Sequence, residues 1–137
     1  MFVAEMLKRD HDLLRSKAQV LKIASTMAPD SLPMLRSGCA TLSEWLKQHT
    51  WRESRFLPDV KPDHRKTLAS LQTVHRHFLQ VRSPRAITPL CQTLTDLLDG
   101  LCKQLLFQEE NFFPFLEKGP GSNKEAARVV DKSRGGV

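Results

Sequence analysis

The chain has 137 residues, 40% of them hydrophobic, with three cysteines and a net charge of +6. That length suffices for one domain with its own core. No apolar run approaches the roughly 18 to 20 residues of a membrane span, and the N-terminal MFVAEMLKRDHDLL lacks the basic, apolar and cleavage regions of a secretory signal, so the expected location is cytoplasmic, with no membrane partner. Cys39, Cys91 and Cys102 form no CxxC pair and fall inside helical patterns, which makes them small core fillers rather than a disulfide or zinc framework. Half of the excess charge belongs to residues from Lys118 onward, where five basic and two acidic residues leave +3. In residues 1–117 the two signs interleave instead of forming a basic stripe, which argues against a nucleic-acid surface.

The predicted elements are four helices. The first spans about Phe2 to Met27, with Met6, Leu7, His11, Leu14, Ala18, Leu21 and Ala24 at spacings of three and four. APDSLP interrupts the chain, and Ser31 or Asp30 caps a second helix over about Leu32 to Leu57, whose shared face holds Leu42, Trp45, Leu46, His49, Glu53 and Phe56. Pro58 and Pro62 stop it. Asp63 caps a third helix to about Val81, and RSPRAITP leads into a fourth over about Pro89 to Leu116, with a stripe of Leu94, Leu98, Leu101, Leu105, Glu109 and Phe112. The expectation is an all-α, antiparallel up-down-up-down four-helix bundle over residues 1–117, followed by a flexible Gly- and Ser-rich tail over 118–137.

In that topology the start of helix 1, the end of helix 2, the start of helix 3 and the end of helix 4 lie at one end of the molecule. His11, His49, Glu53, His64 and Glu109 therefore meet in one layer. A buried carboxylate must be paired, protonated or bound to a cation. The stripes offer Glu53 and Glu109 no evident basic partner, since Lys and Arg fall mostly on other faces. Imidazoles with carboxylates and no thiolate suit iron, manganese or zinc. His75 lies on the same face as His64 but eleven residues on, about 16 Å along the axis, too far for one compact site. His77 points away from it.

RDHDLLR, HTWRESRFLP, PDHRKTL and LLFQEENFFPFLEK together resemble the hemerythrin-like, or HHE cation-binding, domain family over residues 1 to about 117. The resemblance implies a non-haem iron site of one or two ions that binds or senses dioxygen, nitric oxide or iron, and no turnover of an organic substrate. Carried across residue by residue, the metal ligands are His11, His49, Glu53, His64 and Glu109, while Trp51, Leu105 and Phe112 border a ligand pocket. The chain also repeats internally: Glu53 stands five residues before Pro58 and Glu109 five before Pro114. His49 is nine before Pro58, but the matching position before Pro114 is Leu105, so the family's helix 4 histidine is absent. That departure implies a second metal position that is weak or empty, or a site without metal, with Gln108, Glu110 or a water the nearest substitute. No nucleophile elbow or Gly-rich phosphate loop competes as a catalytic motif.

A second resemblance leads to a different class. GCATLSEWLKQHTWRE and PLCQTLTDLLDGLCKQLLFQEENFFPFLEK are similar to helical anti-sigma regulators of the Rsd/AlgQ type, which implies a protein partner and no metal. That likeness is mostly helical periodicity, and a captor of a basic DNA-binding region should be acidic, whereas this body is mildly basic.

Overall fold

The structure, a computed structural model, describes residues 3–56 and 64–116. Four long helices carry it: α1 Val3–Thr26, α2 Leu32–Phe56, α3 His64–Gln80 and α4 Pro84–Asn111, with a single turn α5 Phe113–Leu116 closing the described chain. The expected stop at Pro58 and Pro62, the Asp63 cap and the tail from Lys118 lie outside the described residues.

Each helix buries one stripe. On α1 it is Ala4, Leu7, His11, Leu14, Ala18, Leu21 and Ala24, and on α2 it runs from Leu35 through Cys39, Leu42, Leu46 and His49 to Glu53. α1 packs on α2 and α4, α3 packs on the same two, and the diagonal pairs make no close backbone approach among the described residues. The result is a square antiparallel bundle. Polar contacts confirm the direction of neighbours: Arg36 Nε, early in α2, donates to the Phe78 carbonyl late in α3 (2.8 Å), and Lys22 pairs with Asp99 between α1 and α4. Where α1 and α2 cross, Gly38 makes room for Leu21, because a Cβ there would lie 3.3 Å from Leu21 Cγ and closer still to Cδ2. Cys39 and Cys91 are buried and Cys102 half-buried, all as free thiols; burial pushes the Cys39 thiol up to about 12, as fits a core filler. No described helix is long and apolar enough to cross a membrane.

Two boundaries differ from the sequence reading for physical reasons. α4 begins at Pro84 rather than near Pro89, so Pro89 sits inside the helix. Its missing N–H removes one hydrogen bond near the helix start, and the added turn places Ile87 in the core, 4% exposed, which offsets that loss. At the other end α4 stops at Asn111; the Phe112 N–H closes the last turn on the Gln108 carbonyl (2.9 Å). Pro114 cannot donate to the next carbonyl in line, and the separate turn α5 swings Phe113 beneath Ala4 and Leu7 as a lid on that end of the bundle. Ser31, expected as a cap for α2, turns its hydroxyl the other way and donates to the Ala24 carbonyl (2.5 Å), a second bond on an acceptor at the end of α1 that also takes the Met27 N–H (3.0 Å).

Candidate metal centre

At the end formed by the start of α1 and the close of α2, the aliphatic core gives way to a polar layer. His11, His49, Glu53 and His64 are each at most 1% exposed there. His49 and Glu53 stand one turn apart on α2, so their side chains point the same way and His49 Nε2 lies 3.0 Å from Glu53 Oε2. His11 enters from α1 with Nε2 3.2 Å from His49 Nε2, the two rings edge to face at 4.8 Å. One donor atom from each of His11, His49 and Glu53 lies within 4.8 Å of the others.

The outer nitrogens explain why the inner ones converge. His49 Nδ1 donates to Asp10 Oδ2 (2.9 Å), and Asp10 is gripped by both Nε and Nη2 of Arg52 (2.8 and 2.6 Å). His11 Nδ1 donates to Glu109 Oε2 (2.8 Å), and Arg15 Nη2 donates to the other Glu109 oxygen (2.5 Å). Each imidazole is thus oriented by a carboxylate that is itself held by a guanidinium at the bundle's edge. Carboxylates and carbonyls commonly hold the far nitrogen of metal-binding histidines in this way, fixing the tautomer that presents Nε2.

Burial and the neighbouring His49 push the His11 imidazole down to about 4, so it is neutral at physiological pH and turns its Nε2 lone pair inward. For His49 burial also opposes charge, but its bonds to Asp10 and Glu53 outweigh that and raise it above the ordinary histidine value. Burial would raise the Glu53 carboxyl; His49, with the His64 ring 3.6 Å away, holds it instead at about 2. Asp10 and Glu109 are likewise held low, against burial, by His49 with Arg52 and by Arg15 with His11. The layer is a balanced set of buried charges.

Donor atoms bound at about 2.1 Å to one metal and separated by 90 to 109° lie about 3.0 to 3.4 Å from each other. The 3.2 Å Nε2 to Nε2 and 3.0 Å Nε2 to Oε2 separations match that spacing. Two imidazoles and one carboxylate are also a donor set that divalent iron, manganese and zinc accept. The residues present therefore fit an ion.

The other expected site residues take different places. His64 joins the layer, but its Nδ1 and Nε2 face the amide oxygens of Gln104 (3.0 Å) and Gln108 (3.2 Å). Glu109, with 23% of its side chain exposed, binds the far side of His11. The expectation that Glu109 has no basic partner is corrected: Arg15 reaches it from the neighbouring helix, a pairing that the stripe of a single helix does not reveal. Leu105 is fully buried among the aliphatic residues. Trp51 stands 61% exposed under Arg55, its ring 5.4 Å from the guanidinium. Phe112 is half-buried against Phe107, and the ring over His11 is that of Phe113, with centroids 4.9 Å apart. His75 is half-buried and His77 exposed.

Asp10, Arg52 and Arg15 were not singled out from the sequence, and Gln108 entered there only as a substitute donor. The available signal was the charge beside each histidine: Asp10 adjoins His11, Arg15 follows it by one turn, and Arg52 follows His49 by three residues. Comparison of the chain with models of known protein families, with curated proteins and with solved structures finds no match.

Proposed function

We propose that this protein is a metal-binding bundle of the hemerythrin-like kind, holding non-haem iron through His11 Nε2, His49 Nε2 and Glu53 Oε2. The observation that carries the reading is the meeting of two imidazoles and a carboxylate in a buried layer, with both imidazoles aimed inward by carboxylates on their far nitrogens. Bound iron would supply affinity for a diatomic ligand such as dioxygen or nitric oxide, and a redox change that a partner could read. The protein's part is positional. Asp10 with Arg52 and Glu109 with Arg15 hold the two rings, while Phe113 and Leu7 keep bulk water from the layer. The proton on His49 Nε2 must leave for that nitrogen to bind a cation, so affinity falls as the pH is lowered. The function proposed is binding or sensing rather than enzymatic.

One observation favours a second reading, a metal-free bundle that engages a protein. Among the described residues, only Ser43 Oγ is a buried side-chain polar atom without a hydrogen-bond partner, so the layer satisfies itself as a purely structural one would. Metal analysis of protein purified without an affinity tag, joined to thermal melting with added Fe(II), Mn(II), Co(II) or Zn(II), separates the two. Saturation at 100 times Kd should stabilise the fold by about 2.7 kcal/mol. Absence of bound metal together with unchanged melting for all four ions would leave only the structural layer.

A further inference from the structure

Gln108 is the one amide sealed inside the layer, 6% exposed, between Glu53 and His64. Its Nε2 donates to Glu53 Oε1 (2.8 Å), and its Oε1 lies 3.2 Å from His64 Nε2. The contacts set the orientation: the amide's NH2 faces the Glu53 carboxylate, which accepts, and its oxygen faces His64. His64 Nε2 is then the donor to that oxygen, and its lone pair is not offered to a cation. The other ring nitrogen faces Gln104 Oε1, which Thr67 also binds.

A second ion beside the first would need the free oxygen of Glu53, the Nε2 of His64 and an anionic group facing both, as bridged pairs of ions in helical bundles have. Gln108 takes up the first two and is itself neutral. The remaining carboxylates are engaged elsewhere: Asp10 binds the far side of His49 and Glu109 the far side of His11, each tied to an arginine. Leu105, one turn before Glu109, offers no donor atom and is fully buried.

We infer that Gln108 sets the nuclearity of the centre: its amide clamps Glu53 into one-oxygen binding and withholds His64, so the chain takes a single divalent ion and His64 is a buttress, not a ligand. This rests on the metal-binding reading above. Gln108→Glu keeps the shape of the side chain but replaces the NH2 donor by an oxygen facing the Glu53 carboxylate. Two carboxylates and an imidazole then face each other across a buried gap, an arrangement that a second divalent cation neutralises.

The test is anaerobic titration of the full metal-free chain with Co(II), read by equilibrium dialysis and by the visible absorption of the bound ion. Wild type should saturate at about one ion per chain and Gln108→Glu at about two. Wild type binding two ions, or a folded Gln108→Glu chain that still saturates at one, overturns the inference while leaving the metal-binding reading intact. Wild type that binds none overturns that reading and the inference with it. Where Gln108→Glu fails to fold by circular dichroism, His64→Gln decides. Retention of one ion with Kd changed less than about a hundredfold supports the buttress role, and a larger loss, as expected for His49→Gln, shows His64 to be a ligand.

Discussion

The two ends of this bundle are built from the same four helices and have opposite interiors. Toward the α1–α2 turn the core is aliphatic and aromatic, with Leu21, Ala24, Leu35, Phe78, Ile87 and Cys91 closing on each other. Toward the α3 start it is a hydrogen-bonded layer of three imidazoles, a carboxylate and an amide. The first end is held by removal of apolar surface from water, which is non-directional and tolerates changes of shape. The second is held by directional bonds among charged groups, where the desolvation cost rivals the attraction. Stability resides at the dry end. The polar end is a cost that stability alone gives no reason to retain, and that is the physical ground for reading it as a binding site.

The largest expected effects probe this difference directly. Phe78→Ala should cost about 3 to 5 kcal/mol by loss of buried surface and the cavity left behind, measured by urea unfolding. His49→Leu should cost a similar 3 to 5 kcal/mol for a different reason, since it leaves Glu53 and Asp10 without their shared partner. Replacing His11, His49, Glu53, His64 and Gln108 together by leucine separates the two causes. Removing the whole set leaves no orphaned charge, so unfolding free energy should be unchanged or rise by about 1 to 4 kcal/mol. A collapse of stability in that variant would show that the polar layer is itself structural.

At the dry end, Gly38→Ala should destabilise by about 1 to 3 kcal/mol, because the added methyl meets Leu21 and that side chain must shift within packed surroundings. If the variant melts like wild type, the α1–α2 crossing is looser than its geometry indicates. The metal content of Gly38→Ala should be unaltered, since the crossing lies away from the polar layer.

The smallest effect per step is pH dependence, which in the acid range belongs to the polar end. His11 is held at about 4, below its ordinary 6.5, so the fold favours its neutral form; the stability this contributes is present above pH 6.5 and lost as pH falls toward 4. Glu53, held at about 2 against 4.5, contributes above pH 4.5 and loses that contribution between 4.5 and 2. His49 has the opposite sign: its raised value stabilises the fold below pH 6.5 and the contribution disappears as pH rises through that raised value. Acid unfolding should thus begin below pH 6.5 with a slope of up to about 1.4 kcal/mol per pH unit. In His11→Gln the segment between pH 6.5 and 4 should flatten, and an unchanged slope would assign that titration to another group.

The sequence by itself determined four helices, their antiparallel order and the meeting of His11, His49, Glu53 and His64 at one end. Spacings of three and four place those side chains on buried stripes, and short connections leave few alternatives for the arrangement of long amphipathic helices. Only the tertiary structure decided what each group does there. Asp10 binds His49, Arg15 binds Glu109, and Gln108 rather than Glu109 enters the interior, all through contacts between different helices. Positions 108 and 109 both follow Leu105 on the inward side, and periodicity cannot rank them. The neutral amide is the cheaper group to bury, while the carboxylate gains Arg15 and water by turning to the edge. The start of α4 followed the same rule, with burial of Ile87 outweighing the break that Pro89 marks in the sequence. Helical period reports which face turns inward, whereas the rotation of each helix against its neighbours, set by packing of all four, selects the partners.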